Sequence, residues 1–186
     1  MMRKKKKATG ALGYLMMFAI VLFLTVVTLY LAQVSKLMTH QHHIDDSLTD
    51  SVLASLVADD VYYFETYEST GTPVVRFKDV DSSYRIFKEC MSVAISETNG
   101  FYYNFRFDEF ICYEVEGSSV KITKYSGTSG SKSISTGTVG SVVSPTGEVV
   151  RNTSAYGKVR FDIKNIIDGS MITKTRDNYS TLEINN

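Results

Sequence analysis

The polar and apolar positions divide this chain into stretches with different periods. From Ala8 to Ser35 no residue is charged, and the core from Tyr14 to Ala32 is almost wholly Leu, Val, Ile, Met, Phe and Ala. A run of this kind is as long as the roughly 20 residues that a bilayer core requires. Past it the apolar positions thin to Leu31, Val34, Leu37/Met38, Ile44, Leu48, Val52 and Leu56. Steps of three and four place these on one side of a helix. Ser35, Gln41, Asp45, Asp46, Thr49 and Asp50 take the opposite side, as a wet face should. Neither Gly nor Pro occurs between Gly13 and Gly71. The pattern therefore predicts one helix from about Tyr14 to about Asp60, ~70 Å long at about 1.5 Å per residue. The stripe Val34, Leu37, Ile44, Leu48, Val52 and Leu56 is its candidate packing surface.

After residue 60 the period changes. "DSSYRIFKECMSVAISETNG" offers Asp81 or Ser82 as an N-cap, an apolar face of Tyr84, Phe87, Met91 and Ala94 flanked by Ile86, Cys90 and Val93, and Gly100 as a stop. "FYYNFRF" alternates, and "FICYEVEGSSVKITKY" reads as two alternating strands joined at Gly117 to Ser119. "SGTSGSKSISTGTVG" is rich in Gly, Ser and Thr and reads as an exposed loop. "SVVSPTGEVV" reads as strand, turn at Pro145 to Gly147, strand. "YGKVRFDI" and "NYSTLEI" are further strands, separated by a turn near Asp168-Gly169. The expectation is an α+β fold: a long amino-terminal transmembrane helix continuing into a small domain with one further helix and an antiparallel sheet. The sheet would pack on the distal end of the long helix and bury Leu53, Val57 and Val61. Four segments follow: a basic leader (1–10), a transmembrane helix (11–35), its amphipathic extension (36–60) and a strand-rich extracytoplasmic domain (61–186).

Charge orients this arrangement. Arg3 and Lys4 to Lys7 contribute five cations, which leaves fifteen Lys and Arg against twenty Asp and Glu in the rest of a chain whose formal net charge is zero. After Lys36 the next cation is Arg76. Cations are retained on the cytoplasmic side, so the amino terminus lies in the cytoplasm and the bulk of the chain outside, as a single-pass protein of the cell membrane. A cleaved secretory signal would have a shorter apolar region and a small-x-small cleavage site. Here the nearest candidate, Tyr30-Leu31-Ala32, has a bulky Tyr at the small position. Nothing in the acidic remainder suggests nucleic acid as a partner.

A short basic leader ending in Gly, an uncharged helix, an amphipathic continuation and a strand-rich carboxyl-terminal domain resemble type IV pilins and pseudopilins. Within that superfamily, "KKKKATGALGYLMMFAIVLFLTVVTLYLAQ" is most similar to the TadE-like minor pilins of tight-adherence (Tad) pili, as found in Gram-positive bacteria. The resemblance implies a structural subunit or assembly factor of a pilus or related secretion filament. Its partners would be other pilin-like subunits, pilus assembly membrane proteins and membrane lipid. It also implies prepilin-type cleavage, with Gly10 and Ala11 as the cleavage pair and a cut after Gly13 as the alternative. The fifth residue of the mature chain is then Leu15, or Phe18 for the alternative, where the family commonly has Glu. The alternative is a single-pass anchored accessory or sensor ectodomain that binds a protein partner.

Candidate chemistry adds little. His40, His42 and His43 lie in "HQHHIDD" beside Asp45 and Asp46, but a pair at i, i+3 supplies only two metal ligands and no Cys is near. We expect no metal and no cofactor. Asp108, Glu109, Glu114 and Glu116 fall on predicted strands, where charges line the wet face. The absence of any nucleophile and base constellation argues against an enzyme. Cys90 and Cys112 could form a disulfide outside the cell, closing a loop worth ~3 kcal/mol in the chain-entropy model, with a buried free thiol as the alternative.

Overall fold

The structure is a computed structural model that describes residues 3–165 and 168–182, with side chains from Gly10 onward. Among the described residues three helices precede five strands: α1 (Arg3–Ser55), α2 (Asp60–Thr70), α3 (Val80–Ser96), β1 (Tyr103–Glu116), β2 (Ser119–Ser126), β3 (Ser131–Thr138), β4 (Ser154–Lys164) and β5 (Met171–Thr181). The chain divides into two units, 1–41 and 42–186, and α1 contributes residues to both. The class is α+β, with one helix more than the periodicity predicts.

The extra helix arises where α1 stops. Leu56 N–H donates to Leu53 O and Val57 N–H to Ser55 O, and Ala58 then pairs with Phe77 as an isolated antiparallel bridge. Leu56 therefore lies outside α1, and the predicted continuity to Asp60 ends at Ser55. The Asp59 carboxylate accepts from Tyr62 N–H and caps α2, which Gly71 closes in the left-handed region at φ 71°. α3 starts earlier than expected. Its N-cap is Asp79, whose carboxylate accepts from the Asp81 and Ser82 N–H groups.

The five strands form one antiparallel sheet in the order β3-β2-β1-β4-β5. β1 takes in both "FYYNFRF" from Tyr103 on and the following strand as one element. Bulges between Tyr103 and Arg106 and between Phe107 and Glu109 keep it paired with β4. The β1–β2 hairpin turns at Gly117, φ 59°, as expected. The segment read as an exposed loop instead contains β3, paired to β2 along its whole length. "SVVSPTGEVV" makes only the single bridge between Val143 and Val149.

Both sides of the sheet are covered, which is why Phe110 to Tyr113 are buried in succession. One side receives α3 and the last turns of α1. Phe87 stacks on Phe110 with ring centroids 4.8 Å apart, and Tyr84 stacks on Tyr125 at 4.4 Å. At the centre sits Gly157, where an added Cβ would meet Phe87 Cε2 at 2.7 Å and Val52 Cγ2 at 2.8 Å. Only a residue without a side chain lets both helices approach the strand there. On the other side Ile111, Tyr113, Val120 and Tyr156 pack with Val150, Val139 and Val142 from the segment after β3. The expected burial of Leu53, Val57 and Val61 is not observed, since all three are exposed. α1 meets the sheet through Ile44, Leu48 and Val52, one helical face away.

Candidate membrane helix and interaction surfaces

α1 contains a window within Gly10–Ser55 that is long and apolar enough to cross a membrane, and none of it is buried inside the chain. Leu15, Phe18, Leu22, Phe23 and Leu29 are all more than half exposed. Its two threonine hydroxyls are satisfied internally. The Thr25 hydroxyl donates to Val21 O at 2.9 Å and the Thr28 hydroxyl to Leu24 O at 2.8 Å, the arrangement required where no water is available. Gly10 and Ala11, the pair for prepilin-type cleavage, are exposed helical residues at the start of this run.

The sequence-predicted packing stripe is split. Val34 and Leu37 belong to the first unit. Ile44, Leu48 and Val52 are at most 1 % exposed in the second, covered by this chain's own fold, so they present no surface to a separate subunit. Leu56 is half-buried in the turn after α1. Polar contacts flank the buried turns: Asn178 Nδ2 donates to Thr49 Oγ1 at 2.6 Å, and Arg176 Nε pairs with Asp45 at 2.7 Å. Thr49 and Asp45 lie on the face whose polar residues predict exposure to water.

Cys90 and Cys112 are free thiols, half-buried on α3 and fully buried on β1. Of the two alternatives open in the sequence, the free thiol and not the disulfide is present. Cys112 lies among Phe110, Thr123 and Ala155 on the helix-covered side of the sheet, and burial pushes its thiol well above the ordinary range. The low-dielectric interior disfavours the thiolate that nucleophilic or redox chemistry would need.

A cleft of about 440 Å³ lies where the segment between α2 and α3 passes the β1–β2 hairpin. Its lining mixes Arg76, Lys78 and Lys121 with Asp79, Glu114 and Glu116. Several of these already have partners within the chain. Arg76 lies over the Tyr62 ring at 3.4 Å and donates twice to Asp59, and Lys121 pairs with Glu114 at 2.9 Å. The hydrogen bond from Arg76 and that from Tyr62 N–H hold the Asp59 carboxyl below the usual carboxylate value. Beside the cleft, α2 buries no residue and leaves Val61, Phe64 and Tyr67 exposed.

Two carboxylates on β1 have cationic partners on the neighbouring strands. Asp108 accepts from Arg160 Nη2 at 2.6 Å, and Glu109 pairs with Lys124. Among the described residues no group of three His, Cys, Asp or Glu gathers as metal ligands would. No family model, curated protein or solved structure matches the chain.

The surface that sequence reading missed is the outer edge of β3. Its composition, Ser-Lys-Ser-Ile-Ser-Thr-Gly-Thr, resembles a linker. The signal available was the Ile134 and Thr136 alternation, which is β-branched.

Proposed function

We propose that this chain is a single-pass membrane protein acting as a minor-pilin-like structural subunit, with Arg3 to Lys7 in the cytoplasm and the sheet outside the cell. The observation that carries this reading is the dual character of α1. One helix supplies an apolar stretch with no cover of its own and ends in turns whose apolar face nucleates a small α+β domain. A subunit of a helix-cored assembly needs both. Helices in lipid gain little from apolar contact alone and associate through close packing and polar groups. Leu15 stands where the usual Glu would help, so this subunit depends on a partner rather than forming an abundant filament alone. Because Ile44, Leu48 and Val52 are occupied internally, the partner's helices dock on the stretch before His42.

The cleft of about 440 Å³ and the bare outer face of α2 favour a second reading, an anchored ectodomain that binds a protein partner. One experiment separates the two. The full-length protein is captured from its native membrane after crosslinking through single cysteines placed in the stretch from Leu22 to Leu37 or, in parallel, at Phe64 on α2 and Lys78 in the cleft, and its amino terminus is read by mass spectrometry. The pilin reading expects a chain beginning at Ala11 and crosslinks to another pilus-system protein. An intact leader with crosslinks only from α2 or the cleft would move the assignment to the anchored ectodomain.

A further inference from the structure

The outer strand β3 carries a self-complementary edge. Gly127 N–H donates to Asp108 O, and Val139 N–H donates to Ser118 O. Antiparallel bonds alternate in direction along a strand. With the observed registers, odd-numbered residues of β2 therefore bond to β1 and even-numbered ones to β3. On β3 it follows that Ser131, Ser133, Ser135 and Gly137 bond inward to β2. Lys132, Ile134 and Thr136 direct their N–H and C=O groups to the open edge. Thr138 marks the end, because its carbonyl already accepts from Ser141 and Val142 N–H.

We propose that this edge pairs antiparallel with the β3 edge of a second copy of the chain, about a two-fold axis at Ile134. In that register Ile134 faces its own copy, Lys132 faces Thr136 and Thr136 faces Lys132. Every free N–H and C=O of the three outward residues is matched. An axis at Lys132 sets two lysines opposite each other. An axis at Ser133 leaves Thr136 without a strand partner, and axes at Ser135 or Thr136 call on the Thr138 carbonyl that is already used. The facing side chains are compatible. Ile134, 61 % exposed on the isolated chain, gains an apolar neighbour, and Ser133 meets Ser135 without bulk. The one cation, Lys132, is held by Asp81 with both contacts at 2.8 Å.

Apart from Lys132, devices that keep edges apart are missing here. Strand β3 has no Pro, no bulge against β2 and no charge between Ser133 and Thr138. The opposite edge has them, since β5 carries Lys174, Arg176 and Asp177. The pairing rests on the edge alone and holds for a pilin or an anchored ectodomain.

The test uses the full-length chain in membranes. Residues opposite each other in a hydrogen-bonded antiparallel pair lie about 5.5 Å apart at Cα, within disulfide reach. Mild oxidation of I134C should give a covalent dimer well above the wild-type background from Cys90 and Cys112. K132C and T136C should each stay monomeric alone and crosslink when co-expressed. In detergent, I134K and I134E should each weaken association by about tenfold, and mixing them should restore it. Wild-type levels of crosslinking at I134C, equal crosslinking at all three positions, capture of T175C on β5 by I134C, or no recovery on mixing I134K with I134E while both keep the wild-type melting temperature would each overturn the proposal.

Discussion

The stretch of α1 from Gly10 to Ala32 and the stretch from His42 to Ser55 obey opposite rules. In the first, large apolar side chains point in every direction and remain exposed. In the second, apolar residues keep to one face, and Ile44, Leu48 and Val52 are sealed by the sheet and α3. A helix that is apolar all round needs an apolar solvent, while one with a single stripe needs only one covering surface. The difference teaches that the same backbone can be stabilised by two media, and that a substitution's cost depends on which medium the residue meets.

Truncating one leucine in each stretch should separate the two environments. L48A should lower the unfolding free energy of the carboxyl-terminal unit by ~3 kcal/mol, through lost burial and the cavity left behind. L22A should change it by less than about 0.5 kcal/mol. Near-ultraviolet circular dichroism of the full chain in detergent, followed through a denaturant titration, checks both. Equal effects would mean that the two stretches share one cooperative unit.

Gly157 probes the same covering surface from the sheet. G157A places a methyl group within 3 Å of Phe87 and Val52 side-chain atoms, so the helices must shift. A destabilisation of about 2 kcal/mol is expected, with the apolar stretch of α1 unaffected in the same titration.

Alkaline pH tests the second stretch through tyrosines. Burial, followed by the charge of Asp45, pushes Tyr102 from 10.0 up to about 12. Burial likewise raises Tyr125 and Tyr156, reinforced at Tyr125 by its hydrogen bond to Asp81. A raised folded-state value means that the fold holds the phenolic proton more tightly than the unfolded chain. Stability is therefore full below pH 10 and falls as pH rises toward about 12 and beyond. Tyrosinate absorbance at 295 nm should develop together with loss of near-ultraviolet dichroism, rather than before it.

The smallest effect belongs to the polar flank. Arg176 and Asp45 are partly exposed, at 32 % and 47 % of their side chains. R176Q should therefore cost ~0.5 kcal/mol at low salt and less at high salt. A salt-independent loss above about 1 kcal/mol would show that the contact is desolvated and belongs with the buried stripe.

Legibility followed the range of the interactions. The apolar run, the stripe through Ile44, Leu48 and Val52, the apolar face of α3 and the Gly117 turn were readable because each depends on neighbours within a few residues. The start of α2 was also readable in principle, since Asp59-Asp60 before Val61 is an N-cap signal. What covers the stripe was not: Gly157 and Phe87 are separated from it by many residues, and composition alone left its Ile44, Leu48 and Val52 free for a partner. Cys90 and Cys112 were close enough in sequence to suggest a bridge, yet their separate burial on α3 and β1 decided against it.

That one helix is apolar enough to cross a membrane, and that an α+β domain follows, is written in the residues themselves, because hydropathy and period are local properties. That "SKSISTGT" is a strand is settled by long-range pairing. Ser and Gly carry little strand preference of their own, and the order of this segment comes from pairing to β2, with Val142 filling the space above Gly137. Tertiary structure also decided which side of α1 is spent internally, since a helical stripe records that a cover is needed and not which surface provides it.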